Sequence, residues 1–398
     1  MNILVLSSVY KDESLGAGDH STNIVNSFVH DWVKQGHVVK VIHNSHMYPR
    51  LIHQLPGSVK DKLATKINFY ISDYNAICEK HYEDCGAEVW RLPMLKIIPH
   101  RAHSGNVIDR QISKITNILT KAGFVPEVIV GHWASPQMEL ISKLKGIYNC
   151  RTAVVLHGTV YIDQKNFPAN RYLTNIDRLG CRSKTQAKNV KEILGLDEMP
   201  FVCYSGVPDE YLEKFKLDVH KFNNIETWKF AYVGRLVGYK RVDVIIQALN
   251  STDINWELSI VGEGAEKEKL EKIVEDLGCA KRVKFFGRIP RNKVMDILKD
   301  THCFVMVSKG EIFGLVYLEA MAASCVAVGS KGEGIDGIIE DGYNGYLCEP
   351  ADAKALTQTI KRMISGNYEE IAINGYTTAL NFSDSKAAKE YLKNIVGD

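Results

Sequence analysis

Two glutamates eight positions apart, Glu311 and Glu319, bracket the segment Glu311-Ile312-Phe313-Gly314-Leu315-Val316-Tyr317-Leu318-Glu319, where a strand pattern gives way to a helical one. A helix beginning near Gly314 leaves the N–H groups of its first turn unpaired, and with the positive end of the helix dipole these suit a diphosphate. Glu311 would then lie beside whatever the diphosphate carries, and Glu319 about two turns along, so that two carboxylates grip opposite ends of one donor. A leaving group with two phosphates also needs cations as its bond breaks. Arg235 and Lys240 qualify. They lie in Gly234-Arg235-Leu236-Val237-Gly238-Tyr239-Lys240-Arg241, directly after the apolar run Phe230–Val233, at a strand's carboxyl end and the next helix's start, where α/β ligands bind. Taken singly, a surface turn and acidic residues in a first helical turn are ordinary; their order along the chain gives them weight.

Weaker candidates extend the same row. Val261-Gly262-Glu263-Gly264-Ala265 is a glycine-rich turn that would let a nucleotide approach the backbone, although a tight turn explains it equally well. The backbone of Phe285-Phe286-Gly287-Arg288-Ile289-Pro290 could line a base pocket around Ile289. Near the amino terminus, Leu15-Gly16-Ala17-Gly18 stands between a first strand and a helix, as a phosphate-approaching loop should, yet position 21 is Ser, so the full dinucleotide fingerprint is missing. His157 ends the apolar run from Thr152 and precedes Gly158, which puts its imidazole at a strand end; His132, in Gly131-His132-Trp133, is a second such histidine. The chain has no Asp-x-Asp, the motif that anchors a cation on a diphosphate, so no metal is expected.

Alternating elements must position these residues. Apolar runs at Asn2–Val9, Val38–His43, Val128–His132, Thr152–His157, Arg178–Arg182 and Phe201–Ser205 read as buried parallel strands. Between two of them, Ile24, Val25, Phe28, Val29, Trp32 and Val33 make one helical stripe ending at Gly36. The pattern restarts with strands at Phe230–Val233, Trp256–Val261, Val283–Phe286, Cys303–Val307, Val326–Gly329 and Gly345–Cys348. Two α/β lobes are therefore expected, over 1–206 and 207–383, with Lys214–Trp228 as a polar linker and a last helix over 384–398 that follows a Ser383 cap and packs back on the first lobe. The long stretch 46–105 reads as an insertion that carries acceptor contacts.

With 398 residues, 45% of them apolar and 24% charged, the chain suits two ordinary folded domains. The net charge of +2 conceals an asymmetry: residues 1–206 hold 24 Lys/Arg against 18 Asp/Glu, the remainder 25 against 29. Eleven of the 13 histidines also lie in that first half, which suits an anionic acceptor or peripheral contact with acidic lipid, although solvated surface charge is the simpler reading. The nine cysteines are scattered singly, so reduced thiols and no zinc site are expected. No leader and no apolar run of membrane-spanning length is seen, so a cytoplasmic protein, peripheral at most, is expected, with no nucleic-acid partner.

Read in order, Gly16-Ala17-Gly18, His157-Gly158, Gly234-Arg235-Leu236 with Lys240, Gly262-Glu263-Gly264, and the Glu311 to Glu319 segment with Phe313-Gly314-Leu315 inside it resemble the retaining glycosyltransferase family 4, glycosyl transferases group 1, over nearly the whole chain. Ser205-Gly206-Val207-Pro208-Asp209 looks like that family's interdomain Asn-Gly-Val-Asp segment, with Ser in place of Asn. The resemblance implies the α/β GT-B fold, two Rossmann-like domains facing each other across a deep cleft. It implies hexosyl transfer with retention from a UDP- or GDP-sugar to a glycan, glycolipid or small molecule, in cell-surface polysaccharide synthesis and without metal or other cofactor. Arg235 and Lys240 would neutralise the diphosphate; Glu319 would hold the ribose; the backbone of Phe313, Gly314, Leu315 and Val316 would meet phosphate and sugar. Glu311 and His157 would act at the reaction centre, with Gly16, Gly18, Gly262 and Ile289 completing the donor site. A non-catalytic sugar-nucleotide-binding regulator and a GT-B epimerase are the alternatives; the intact Glu pair, Arg235, Lys240 and His157 argue against both.

Overall fold

The computed structural model describes residues 1–12, 23–57, 77–97, 101–158 and 167–397, with positions 59, 60, 63, 71 and 162 between them. Gly16 and Gly18 lie outside the described residues. The chain forms two compact α/β units, one of residues 1–182, 186–203 and 387–398, the other of residues 183–185 and 204–386.

The first unit is built on β1 (Asn2–Ser7), β2 (Val38–His43), β3 (His46–Met47), β4 (Lys80–Asp84), β5 (Ala87–Arg91), β6 (Met94–Leu95), β7 (Val128–His132), β8 (Arg151–Leu156), β9 (Arg178–Cys181) and β10 (Phe201–Val202). Eight of these form one sheet in the order β10-β9-β8-β7-β1-β2-β5-β4, and β3 pairs with β6 apart from it. Alternation along β1 shows why the sheet is covered on both faces. Ile3 and Val5 join the cluster around Val25, Phe28 and Trp32, whereas Leu4 and Leu6 join the opposite one around Ile115, Met138 and Ile141. The helix Ile24–Lys34 forms as its apolar spacing predicts, burying Val25, Phe28, Val29 and Trp32.

The stretch 46–105 is only partly an insertion. Residues 80–91 form an edge hairpin of the main sheet, with β4 antiparallel to β5 in an otherwise parallel array. Its strand signal is weak because β4, Lys-His-Tyr-Glu-Asp, is an exposed edge that carries few apolar residues.

The second unit holds β11 (Trp228–Val233), β12 (Trp256–Val261), β13 (Val283–Gly287), β14 (Cys303–Val305), β15 (Val326–Ser330) and β16 (Tyr346–Cys348), all parallel, in the order β13-β12-β11-β14-β15-β16. Residues 214–228 are not a linker: Phe215 and Phe222 are buried in this unit's core, two anchors too widely spaced to register as an amphipathic element. The last helix, Asp384–Val396, starts in the second unit, where Ser383 Oγ accepts the N–H of Lys386 at 3.3 Å. From Ala387 onward it belongs to the first unit: Tyr391 meets Phe28 edge-on at 5.1 Å, and Trp32 Nε1 donates to the Ala388 carbonyl at 3.0 Å.

Candidate active site

In the second unit the turns after β11, β12 and β13 brace one another at the carboxyl end of the sheet. Gly234 N–H donates to the Val261 carbonyl at 2.9 Å, Leu236 N–H to Glu263 at 2.9 Å and Gly262 N–H to Gly287 at 2.9 Å. Gly262 is required here: its φ is +139°, and a Cβ would stand 1.8 Å from the Gly234 carbonyl oxygen. The Gly-Glu-Gly turn therefore fixes the loop that carries the two cations.

Arg235 is exposed and donates from its guanidinium to Tyr239 Oη at 3.1 Å. Lys240 turns inward from a short 3-10 turn, Gly238–Lys240, and only 9% of it is exposed. Its ammonium forms an ion pair with the Glu311 carboxylate and lies 3.7 Å from Met306 Sδ. The loop after β14 is tied to this turn by Lys309 N–H, which donates to the Tyr239 carbonyl at 2.8 Å. A residue that sequence reasoning missed shapes the loop further: Glu333, after β15, accepts the N–H groups of Gly310 at 2.9 Å and Glu311 at 2.6 Å. Burial pushes the Glu333 carboxyl above its usual value. One loop thus receives its candidate carboxylate, Glu311, from chain order and its shape from a distant one, Glu333.

The helix Leu315–Ala322 begins at Gly314, which takes a left-handed φ of +80°. A Cβ at Gly314 would stand 2.7 Å from the Tyr317 ring, whose hydroxyl is tied to the Met306 carbonyl. Phe313 is buried against this unit's core, and Leu315 and Val316 are half-buried, as is Ile289 at the end of the β13 turn. Glu319, 7% exposed, is paired with Arg291, whose guanidinium lies 5.3 Å from the Tyr211 ring centroid. Arg291 was not singled out in the sequence. A faint signal existed, because a cation in the first turn of the helix Arg291–Lys299 opposes that helix's dipole and needs a carboxylate partner.

In the first unit, His157 follows β8 and His132 ends β7, so neighbouring strands bring the two imidazoles together, Nδ1 of His132 lying 2.9 Å from Nε2 of His157. Trp133 stacks on His157 with centroids 4.0 Å apart. Buried Arg182, after β9, sends NH1 to Cys203 Sγ at 3.6 Å. Burial, and then the Arg182 charge, hold His132 down to about 3 and His157 well below its usual value, so both rings are neutral near neutral pH. His157 and Glu311 lie in different units.

Among the described residues one group, His30, Asp84 and Cys85, has metal-ligand atoms within 4.8 Å of one another. Oδ2 of Asp84 already accepts hydrogen bonds from Tyr10 at 2.7 Å and Asn26 at 3.0 Å and lies 2.9 Å from His30 Nε2, so the group closes on itself.

Known proteins share the family match and the fold. A family model for glycosyl transferases group 1 matches residues 215–378, the segment from Phe215 through both loops and the Gly314 helix. An uncharacterized glycosyltransferase of Methanocaldococcus jannaschii is 28% identical over 345 residues, covering 84% of this chain and 90% of that protein. Sucrose-phosphate synthase of Thermosynechococcus elongatus superposes with a TM-score of 0.72 at 18% identity, covering 99% of this chain and 98% of that one. HepE of Anabaena, solved in complex with UDP, superposes at 0.67 with 16% identity and 99% of both chains. Residues 215–378 match the glycosyl transferases group 1 family, and the chain has the GT-B fold of solved glycosyltransferases.

Proposed function

We propose that the chain transfers a hexose from a UDP- or GDP-sugar, with retention and without a metal ion, to a glycan, lipid-linked or small-molecule acceptor of cell-surface polysaccharide synthesis, in the cytoplasm or at the inner face of the membrane. The observation that carries this reading is the Lys240–Glu311 pair, in which a buried cation from the turn after β11 holds the half-buried carboxylate of the loop after β14, and that second loop runs straight into the helix start at Gly314. Arg235, Lys240 and the free N–H groups of that helix start supply positive charge for a diphosphate leaving group. Glu311, anchored by Lys240, would orient the sugar; Glu319 would take the ribose hydroxyls while Arg291 holds its other side. The leaving phosphate accepts the acceptor's proton as acceptor and leaving group meet the same face of the sugar, so retention needs no protein nucleophile. HepE, described with UDP, supports a uridine donor. Residues 1–206, with their Lys/Arg excess and eleven histidines, and the stretch 46–105 are assigned to the acceptor.

Thermal unfolding against UDP-, GDP- and ADP-sugars, with NAD as control, tests the donor. A ligand at a hundredfold its Kd adds about 2.7 kcal/mol of stability. Stabilisation by one nucleotide-sugar series identifies the base; stabilisation by NAD alone overturns the reading. The anomeric configuration of the product, read by NMR, and turnover in excess chelator test retention and metal independence.

A further inference from the structure

The imidazoles of His132 and His157 share one hydrogen bond, so one of the facing nitrogens carries the proton and the other accepts it. The pair is enclosed by rings: Phe28 stacks on His132 at 6.0 Å, Tyr391 meets it edge-on at 5.7 Å, and Trp133 covers His157. Arg182, Cys203 and Tyr391 are the titratable groups around it, and the guanidinium and burial keep both imidazoles neutral. Each ring therefore has a single N–H, and only two arrangements are open.

They differ in what they leave behind. Should Nε2 of His157 donate, the proton of His132 must sit on its own Nε2, which is buried with no hydrogen-bond partner. Should Nδ1 of His132 donate, that orphan atom is only a lone pair, and the proton of His157 sits on its Nδ1, which has no partner among the described residues. An orphaned buried N–H is the rarer and costlier defect.

We propose that His132 is a positioning residue that donates Nδ1–H to Nε2 of His157, locking His157 as an Nδ1–H donor to the sugar-nucleotide and barring it from acting as a base. The inference rests on the reading of His157 as a reaction-centre residue. It assigns His157 hydrogen-bond donation to the polar transition state and agrees with the acceptor's proton leaving on phosphate, because the one lone pair of His157 is already engaged.

Nitrogen-15 NMR of the full chain labelled at histidine reads the tautomers directly. Protonated Nδ1 with bare Nε2 on both residues is expected; a proton on Nε2 of His157 overturns the proposal. In turnover, His132→Phe keeps the ring packing but removes the donor, and kcat should fall on the order of tenfold with donor KM nearly unchanged, as for one lost buried hydrogen bond. His132→Asn, whose amide N–H stands near the Nδ1 position, should restore most of the rate. An unchanged kcat in His132→Phe sinks the positioning role. Full turnover in His157→Ala would instead remove the reaction-centre reading beneath it while leaving the NMR assignment standing, so the two failures are separable.

Discussion

Lys240 and Glu311 are worth most to each other. With side chains 11% and 13% exposed, neither is well solvated, and a buried pair that loses one member leaves an uncompensated charge. Lys240→Ala should therefore cost about 3–5 kcal/mol of stability in urea unfolding as well as turnover. Glu311→Gln keeps the shape and a polar partner, so its effect should fall on the barrier, on the order of 3 kcal/mol. The double change Lys240→Met with Glu311→Leu separates the two roles: stability should return towards that of the parent chain while turnover stays lost. Near-parental turnover in Glu311→Gln would remove that carboxylate from the reaction centre.

At the scale of elements, the candidate donor-side loops depend on backbone approaches that admit no side chain. Gly262→Ala places a methyl group against the Gly234 carbonyl in a left-handed conformation, so the β11 and β12 turns must separate. The expected cost is about 1–3 kcal/mol in stability, with weakened nucleotide-sugar binding measured by calorimetry. Unchanged affinity would mean that this turn does not set the Arg235 loop. The C-terminal helix poses a different question, because its largest side chain sits in the aromatic core of the first unit beside Ala388, Leu392 and Ile395. Tyr391 is 1% exposed and touches Phe28, Trp32 and His132. Tyr391→Ala should destabilise by about 3–5 kcal/mol, read in denaturant unfolding, as large aromatic truncations in cores do.

Across the whole molecule, several buried imidazoles set a response to acid, His103, His132 and His302 among them. Burial holds His103 and His132 at about 3 and His302 at about 4, each below the unfolded value of 6.5. Below pH 6.5 the unfolded chain binds protons that the folded chain refuses, so stability falls as pH drops from 6.5 towards 4. Each ring contributes a slope of up to about 1.4 kcal/mol per pH unit in that window. Since His103 and His132 belong to the first unit and His302 to the second, both should lose Tm between pH 7 and pH 5. A flat Tm over that range would show that these rings titrate normally.

The two α/β repeats, most strand positions and the placement of the candidate donor-side residues at βα turns were legible without coordinates, because period-2 and 3.6-residue burial patterns and βα turns are local properties of the chain. Arg235, Lys240, Gly262, Gly314, Glu311 and Glu319 all lie in such turns or just inside the helix that follows, where position along the strand dictates position in space. What only the tertiary structure decided are the partners. The pairing of Lys240 with Glu311, of Arg291 with Glu319 and of His132 with His157 joins residues 71, 28 and 25 positions apart. The support of the Glu311 loop by Glu333 and the hold of Tyr391 on Phe28 are of the same kind. The edge hairpin at 80–91 and the buried segment from Phe215 to Phe222 belong there too. Strand order and side-chain convergence follow from which elements pack together, a sum of many weak contacts, and no local period in a single sequence encodes that sum.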